Sequence, residues 1–133
     1  MIAASDEVLG ASAVPGSGSP DRRAAVLIAI ETIVDPCSRA LGRPVGLVGM
    51  GMIAGLDEEC GRVRVTVLPT FPTCMFRGVL EEEVEAVVRA LPWCAAVSVR
   101  FADAEYVWDE SRLSETARAT LGRRPAGARS RVA

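Results

Sequence analysis

The chain has 133 residues, half of them hydrophobic, and a formal net charge of -2. That is enough for one modest domain with a buried core, and too little charge to draw nucleic acid or an anionic membrane surface by electrostatics alone. His, Lys, Asn and Gln are absent and all 15 basic residues are Arg. This excludes Ser-His and Cys-His nucleophile pairs, imidazole metal ligands, Schiff-base lysines and the phosphate-binding P-loop.

No segment approaches the roughly 20 apolar residues of a membrane span. The start, "MIAASDEVLG", lacks the basic and apolar regions of a secretory signal, so a cytoplasmic location is expected. Arg-only, Ala-rich usage points to a GC-rich bacterial genome and carries no function. Residues 1–20 are rich in Ala, Gly, Ser and Pro and are read as a disordered lead. Residues 21–122 form the expected domain, and 123–133, with four Arg and no acid, a disordered basic tail.

Within the domain, Asp21 is placed to cap a helix through "RRAAVLIAIETIV", where Val26, Ile30 and Ile33 recur at helical spacing. Asp35-Pro36 is expected to stop it. The glycine-rich "VGLVGMGMIAGL" then leads through the acidic turn "DEECG" into "RVRVTVL". Its alternation buries Val63, Val65 and Val67 and exposes Arg62, Arg64 and Thr66, so a hairpin is predicted. After the bend "PTFPT", the segment "CMFRGVLEEEVEAVVRAL" sets Leu80, Val84, Val87, Val88 and Leu91 on one helical stripe. "CAAVSVRF" reads as a strand with Val97, Val99 and Phe101 inward. "SRLSETARATLG" reads as a last helix capped by Ser111 or Ser114 and stopped by Gly122. The order α-β-β-α-β-α contains one strand-helix-strand crossover, which joins parallel neighbours. The fold class is therefore α/β (α+β): a small two-layer sandwich with a mixed three-stranded sheet covered on one face by helices.

The four cysteines, Cys37, Cys60, Cys74 and Cys94, form no CxxC pair and so no zinc ribbon; in a cytoplasmic chain, reduced thiols are expected. Cys74 stands at a predicted helix N-terminus, where open N–H groups and the helix dipole favour thiolate and draw the pKa toward the roughly 3.5–7.5 of activated cysteines. Cys60 belongs to a polar turn and Cys94 to the start of a strand, where it packs like a small hydrophobe. Cys37, beside the Asp35 carboxylate, is a second thiol that could converge on Cys74, and two thiolates with a carboxylate suit a soft metal. From the residues alone, three readings stay open: a transient metal or iron-sulfur site, a thiol nucleophile or redox switch, and an interaction module whose cysteines only pack. The lack of a base near Cys74 counts against catalysis.

Asp35-Pro36 after a first helix, Gly51 in "MGMI", "GRVRVTV", Thr70 and Cys74 in "TFPTC", "LPW" before a strand and "WDESRLSETARATLG" together resemble the iron-sulfur cluster assembly domain family that includes the SufT and PaaD proteins. The resemblance covers roughly residues 23–122. It implies a compact α/β domain that assembles or carries iron-sulfur clusters without turnover chemistry, with Cys74 as the reactive thiol and Asp35 and Thr70 in the same polar cluster. It also implies client iron-sulfur or metalloproteins and the assembly machinery as partners, a homodimer being compatible with it, and neither nucleic acid nor membrane. Trp108 and Ser114 match a late motif, with Trp108 expected as an anchor for the last helix.

The chain departs from the family pattern at three places: Cys37 replaces a glutamate, Phe71 a second threonine and Met75 a proline. A sulfur at 37 in place of a hard oxygen leaves three outcomes open: stronger cluster or iron binding, a Cys37–Cys74 disulfide, or a specialised paralogue. The chain carries no cysteine-rich zinc extension of the PaaD kind. The expected cofactor-binding residues are Cys74, Cys37, Asp35 and Thr70, the first three as metal ligands to a transient iron-sulfur cluster or iron, with no catalytic residue. The alternatives are a dedicated accessory protein for an oxygenase or biosynthetic enzyme, acting by protein contacts, and a thiol redox switch.

Overall fold

The computed structural model describes residues 14–70, 77–103 and 107–122, and Ser19, directly before a proline, starts the first helix among them. Its Oγ accepts the Arg22 N–H at 3.4 Å, and Pro20 takes the first helical position, where its missing N–H costs nothing. The cap is thus Ser19, not Asp21. Asp21 lies in the first turn of this helix, α1 (Pro20–Glu31), where its charge complements the dipole.

Asp35-Pro36, expected to stop the first helix, starts a second one. α1 ends at Glu31, Val34 bridges to Gly46, and α2 (Pro36–Ala40) begins with Asp35 as its N-cap. An Asp-Pro pair serves both purposes, because the residue before proline is pushed out of helical geometry and proline then fits the next helix's first turn.

The predicted hairpin is present: β1 (Ile53–Glu59) pairs antiparallel with β2 (Arg62–Val67). Its turn is made by Cys60 and Gly61, both at positive φ, 51° and 82°, which matches the twist of the flanking strands. α3 (Arg77–Arg89) buries Leu80, Val84 and Val88, while Val87 and Leu91 lie half-buried at the stripe's margin. β3 (Ala96–Phe101) then pairs with β2 in parallel, as the crossover requires. A short 3-10 turn, Glu110–Arg112, precedes α4 (Glu115–Thr120), whose cap Ser114 accepts the Ala117 N–H at 3.1 Å. Gly122, at φ 70°, follows its end.

The result is a small α+β fold with strand order β1-β2-β3. Val63, Val65 and Val67 face Leu27, Ile30, Leu80, Val84 and Val88 in one hydrophobic cluster, while Arg62, Arg64 and Arg100 remain exposed on the other side. Val97, Val99 and Phe101 are only half-buried, consistent with their place on an edge strand. The opposite edge is covered. Residues 14–19, read from composition as part of a disordered lead, lie along β1: Pro15 and Ser17 accept the N–H groups of Leu56 and Glu58, each at 3.0 Å. These bonds satisfy donors that an open edge would leave unpaired. Residues 1–13 and the tail 123–133 lie outside the described residues.

Candidate functional site

The loop Val45–Met52, glycine-rich and without period in the sequence, joins the elements that carry the candidate residues. Asp35 donates its N–H to Val45 O at 2.8 Å, and Leu47 donates to Ile33 O at 3.0 Å. Met52 donates to Leu47 O at 3.1 Å and accepts from Leu68 N–H at 2.6 Å. A continuous path of backbone bonds therefore runs from the Asp35 turn to the residue where β2 gives way to Pro69 and Thr70. The other flank is held by the last elements: Ser114 N–H to Gly49 O at 2.9 Å, Trp108 Nε1–H to Met50 O at 2.7 Å and Arg112 Nε–H to Gly51 O at 2.6 Å. Trp108, expected to anchor the last helix, bonds the loop at Met50 and packs partly buried against the core.

Asp35 is buried, 1 % exposed. Its Oδ2 accepts the Ser38 N–H at 2.8 Å, and the Cys37 N–H also bonds to the carboxylate. Ser38 closes the knot: its Oγ donates to Asp35 O at 2.9 Å and accepts from Val45 N–H at 2.9 Å. Burial raises the Asp35 pKa above its usual 3.8, and the two N–H bonds oppose that rise. Expected as an oxygen ligand, Asp35 has its carboxylate engaged by the backbone of its own turn. It fixes the conformation that presents Cys37, the second residue of α2, which is half-buried.

Thr70 is half-buried directly after the buried Pro69. Cys74, and with it Phe71 and Met75, lies outside the described residues. The structure thus brings Asp35 and Cys37 onto one turn and ties that turn, through the loop, to the strand end that precedes Thr70. Among the described residues no group of three or more Cys, Asp or Glu side chains converges to hold a metal ion.

Glu31 was not singled out in the sequence. Its Oε1 accepts the Gly49 N–H at 2.9 Å, and burial raises its pKa above the usual 4.5 against the bonds from Gly49 and Val48. A glutamate on a helix is ordinarily solvated; the available signal was its place inside the apolar run "AIETIV". Arg112 was missed for the same reason: it reads as a surface charge yet caps two carbonyls of the loop, Gly51 O and Ile53 O.

The class is a small α+β domain with a cysteine-bearing turn wired to the carboxyl end of its central strand; no described helix is long and apolar enough to cross a bilayer. Its family follows from direct comparison: residues 23–101 match the family model described as "Iron-sulfur cluster assembly protein", and the chain belongs to that family. The matched span includes Asp35, Cys37, Thr70 and Cys74. Among solved structures, a crystal structure of a domain of unknown function, DUF59, from Bacillus anthracis resembles this chain with a TM-score of 0.63. It shares 22% identity and aligns over 74% of this chain and 90% of the other, a likeness that speaks to fold. No curated protein matches the chain.

Proposed function

We propose that this protein is a cytoplasmic assembly factor or carrier that takes up an iron-sulfur cluster, or iron, as cargo through Cys74 with Cys37 as companion thiol. It passes the cargo to client metalloproteins without turnover chemistry of its own. The observation that supports this reading is the Asp35–Cys37 turn. The carboxylate is engaged by backbone N–H groups, so the soft donor this turn has to offer is the Cys37 sulfur, on the segment wired to the start of the Thr70–Cys74 bend. Thiolates suit iron and iron-sulfur clusters better than a lone carboxylate does. Weak ligation by few residues is also what a carrier requires, since cargo bound by a complete ligand set is slow to leave.

The experiment is anaerobic reconstitution with ferrous iron and sulfide, read by visible absorption and by transfer to an apo-ferredoxin acceptor. The parent should develop a thiolate-to-iron chromophore and pass it on. Cys74→Ala should abolish uptake, and Cys37→Ala should weaken it and speed loss of the chromophore to a chelator. A parent that takes up no iron, with a Cys74→Ala variant that still supports acceptor maturation, overturns the reading.

A further inference from the structure

At the end of the sheet away from Thr70, two turns that carry the remaining cysteines touch. Cys60 is exposed in the β1–β2 turn, and Cys94 is half-buried in the α3–β3 turn, its Sγ–H directed to Ala96 O at 3.5 Å. The turns meet through their backbones. Gly61 O accepts the N–H groups of Ala95 and Ala96 at 2.8 and 3.4 Å, and a β-carbon on Gly61 would stand 2.8 Å from Trp93 O. The corner is pinned on its inner side by Glu58, which accepts from Gly61 N–H at 3.1 Å and from Arg22 Nη1 at 3.2 Å. The same guanidinium lies 4.8 Å from the centre of the Trp93 ring.

The contact between the turns brings the two cysteines near each other. β2 and β3 pair from Arg62 opposite Ala96 to Val67 opposite Phe101, and the ladder ends there, with Gly61 N–H turning to Glu58 and Cys94 N–H to Leu91 O. Cys60 directly precedes Gly61, whose carbonyl accepts the Ala95 N–H at 2.8 Å, and Cys94 directly precedes Ala95, so each thiol stands one residue from the shared bond. A disulfide between them requires roughly 4.4–6.8 Å between α-carbons.

We propose that Cys60 and Cys94 form an intramolecular dithiol–disulfide couple, a modification site separate from the cargo thiols and independent of the iron-sulfur reading. The oxidant is a peroxide. The exposed Cys60 thiolate attacks one peroxide oxygen and breaks the O–O bond; Cys60 becomes a sulfenic acid, and the departing hydroxide takes a proton to give water. The Cys94 thiolate then attacks the Cys60 sulfur, forms the S–S bond and expels the second hydroxide, which is protonated in turn. Two thiols lose two electrons and two protons, and hydrogen peroxide is reduced to two waters. Exposure sets the order, with the accessible thiol reacting first and the shielded one resolving it.

The test uses the full reduced chain treated with hydrogen peroxide, alkylated and digested with trypsin without reductant. Arginine cleavage places the four cysteines in separate peptides, 24–39, 40–62, 65–77 and 90–100. The expected result is a 40–62 to 90–100 link in the monomer, reversed by dithiothreitol, with a melting temperature that rises on oxidation and falls back on reduction. Cys60→Ser and Cys94→Ser should each remove the link and the rise. A covalent dimer through 40–62 alone, a 24–39 to 65–77 link as the sole product, or a monomer with no link between 40–62 and 90–100 overturns the proposal.

Discussion

Replacing Gly51 by alanine separates two costs that usually travel together, because Gly42 offers a control with nearly the same backbone. Gly51 has φ 73° and Gly42 φ 75°, so a side chain at either meets the left-handed penalty of about 1–2 kcal/mol, partly offset by about 0.4–1 kcal/mol from a stiffer unfolded chain. Gly42→Ala meets nothing within 4 Å and should cost about 1 kcal/mol. At Gly51 the added β-carbon would run into the carbonyl oxygen of Arg112 and stand 2.5 Å from its Cβ. That backbone has little room to retreat, since Arg112 Nε–H holds Gly51 O at 2.6 Å and Ser114 N–H holds Gly49 O at 2.9 Å. Relief means parting the 3-10 turn from the loop and losing these two bonds, about 1 kcal/mol each or more if a buried partner stays unpaired. Gly51→Ala should therefore cost about 3–4 kcal/mol, a large share of the roughly 5–15 kcal/mol typical of a folded domain. Urea titrations followed by tryptophan fluorescence, with equal m-values, measure the difference directly. Equal losses at the two positions, to within about 0.5 kcal/mol, would refute the claim that the loop is clamped by Arg112.

Stability should also respond to pH through two opposing kinds of carboxylate. Glu31 and Asp35 have raised pKa values, so the folded state holds their protons longer than the unfolded chain, and their contribution is lost as pH rises from their usual values, 4.5 and 3.8, through the folded ones; Glu31→Gln should flatten that fall in pH-dependent urea midpoints. Glu58 is lowered, by N–H bonds from Gly61 and Ser19 before the Arg22 guanidinium, and its contribution should be lost as pH falls below 4.5 through its folded value. Asp35→Asn should keep the cap and the iron uptake of the parent, whereas Asp35→Ala should lose about 1–2 kcal/mol in urea titrations and weaken uptake through a loosened Cys37 turn. An Asn variant that folds like the parent but takes up no iron would make Asp35 a ligand instead of a positioning residue.

The elements legible in the sequence are those whose physics is local. The Val63–Val65–Val67 alternation and the Leu80–Val84–Val88 stripe each state a period and a buried face, and both appear as read. The short α2 was missed because Asp35-Pro36 has the same local chemistry whether it closes one helix or opens another; the Ser38 Oγ bonds that decide between them depend on Val45, seven residues away. Composition also misplaced Val14–Ser19, whose order comes from the N–H groups of β1 some 40 positions on. The loop that organises the site has no period at all. Its contacts are with Glu31, Trp108, Arg112 and Ser114, each distant in sequence, so no window along the chain contains them together. The cysteines were legible as residues but not all as sets: Cys37 was set with Cys74 from its place beside Asp35 as well as by the family pattern, whereas the turns of Cys60 and Cys94 meet through the bonds from Ala95 and Ala96 to Gly61 O.

The Cys60–Cys94 corner stands at one end of the elements it joins. β2 has six residues, about 20 Å at 3.3 Å each, and leads from the Cys60 turn toward Pro69 and Thr70. α3 has 13 residues, about 20 Å at 1.5 Å each, and runs from Arg77 back toward Cys94. The length of the central strand thus separates Thr70 from the Cys60–Cys94 corner. A link at that end would close the chain around the whole β2–α3 unit and restrain its unfolding, since a cross-link acts mainly on the freedom of the unfolded chain. Peroxide would then stiffen the fold at the end of the sheet remote from Thr70.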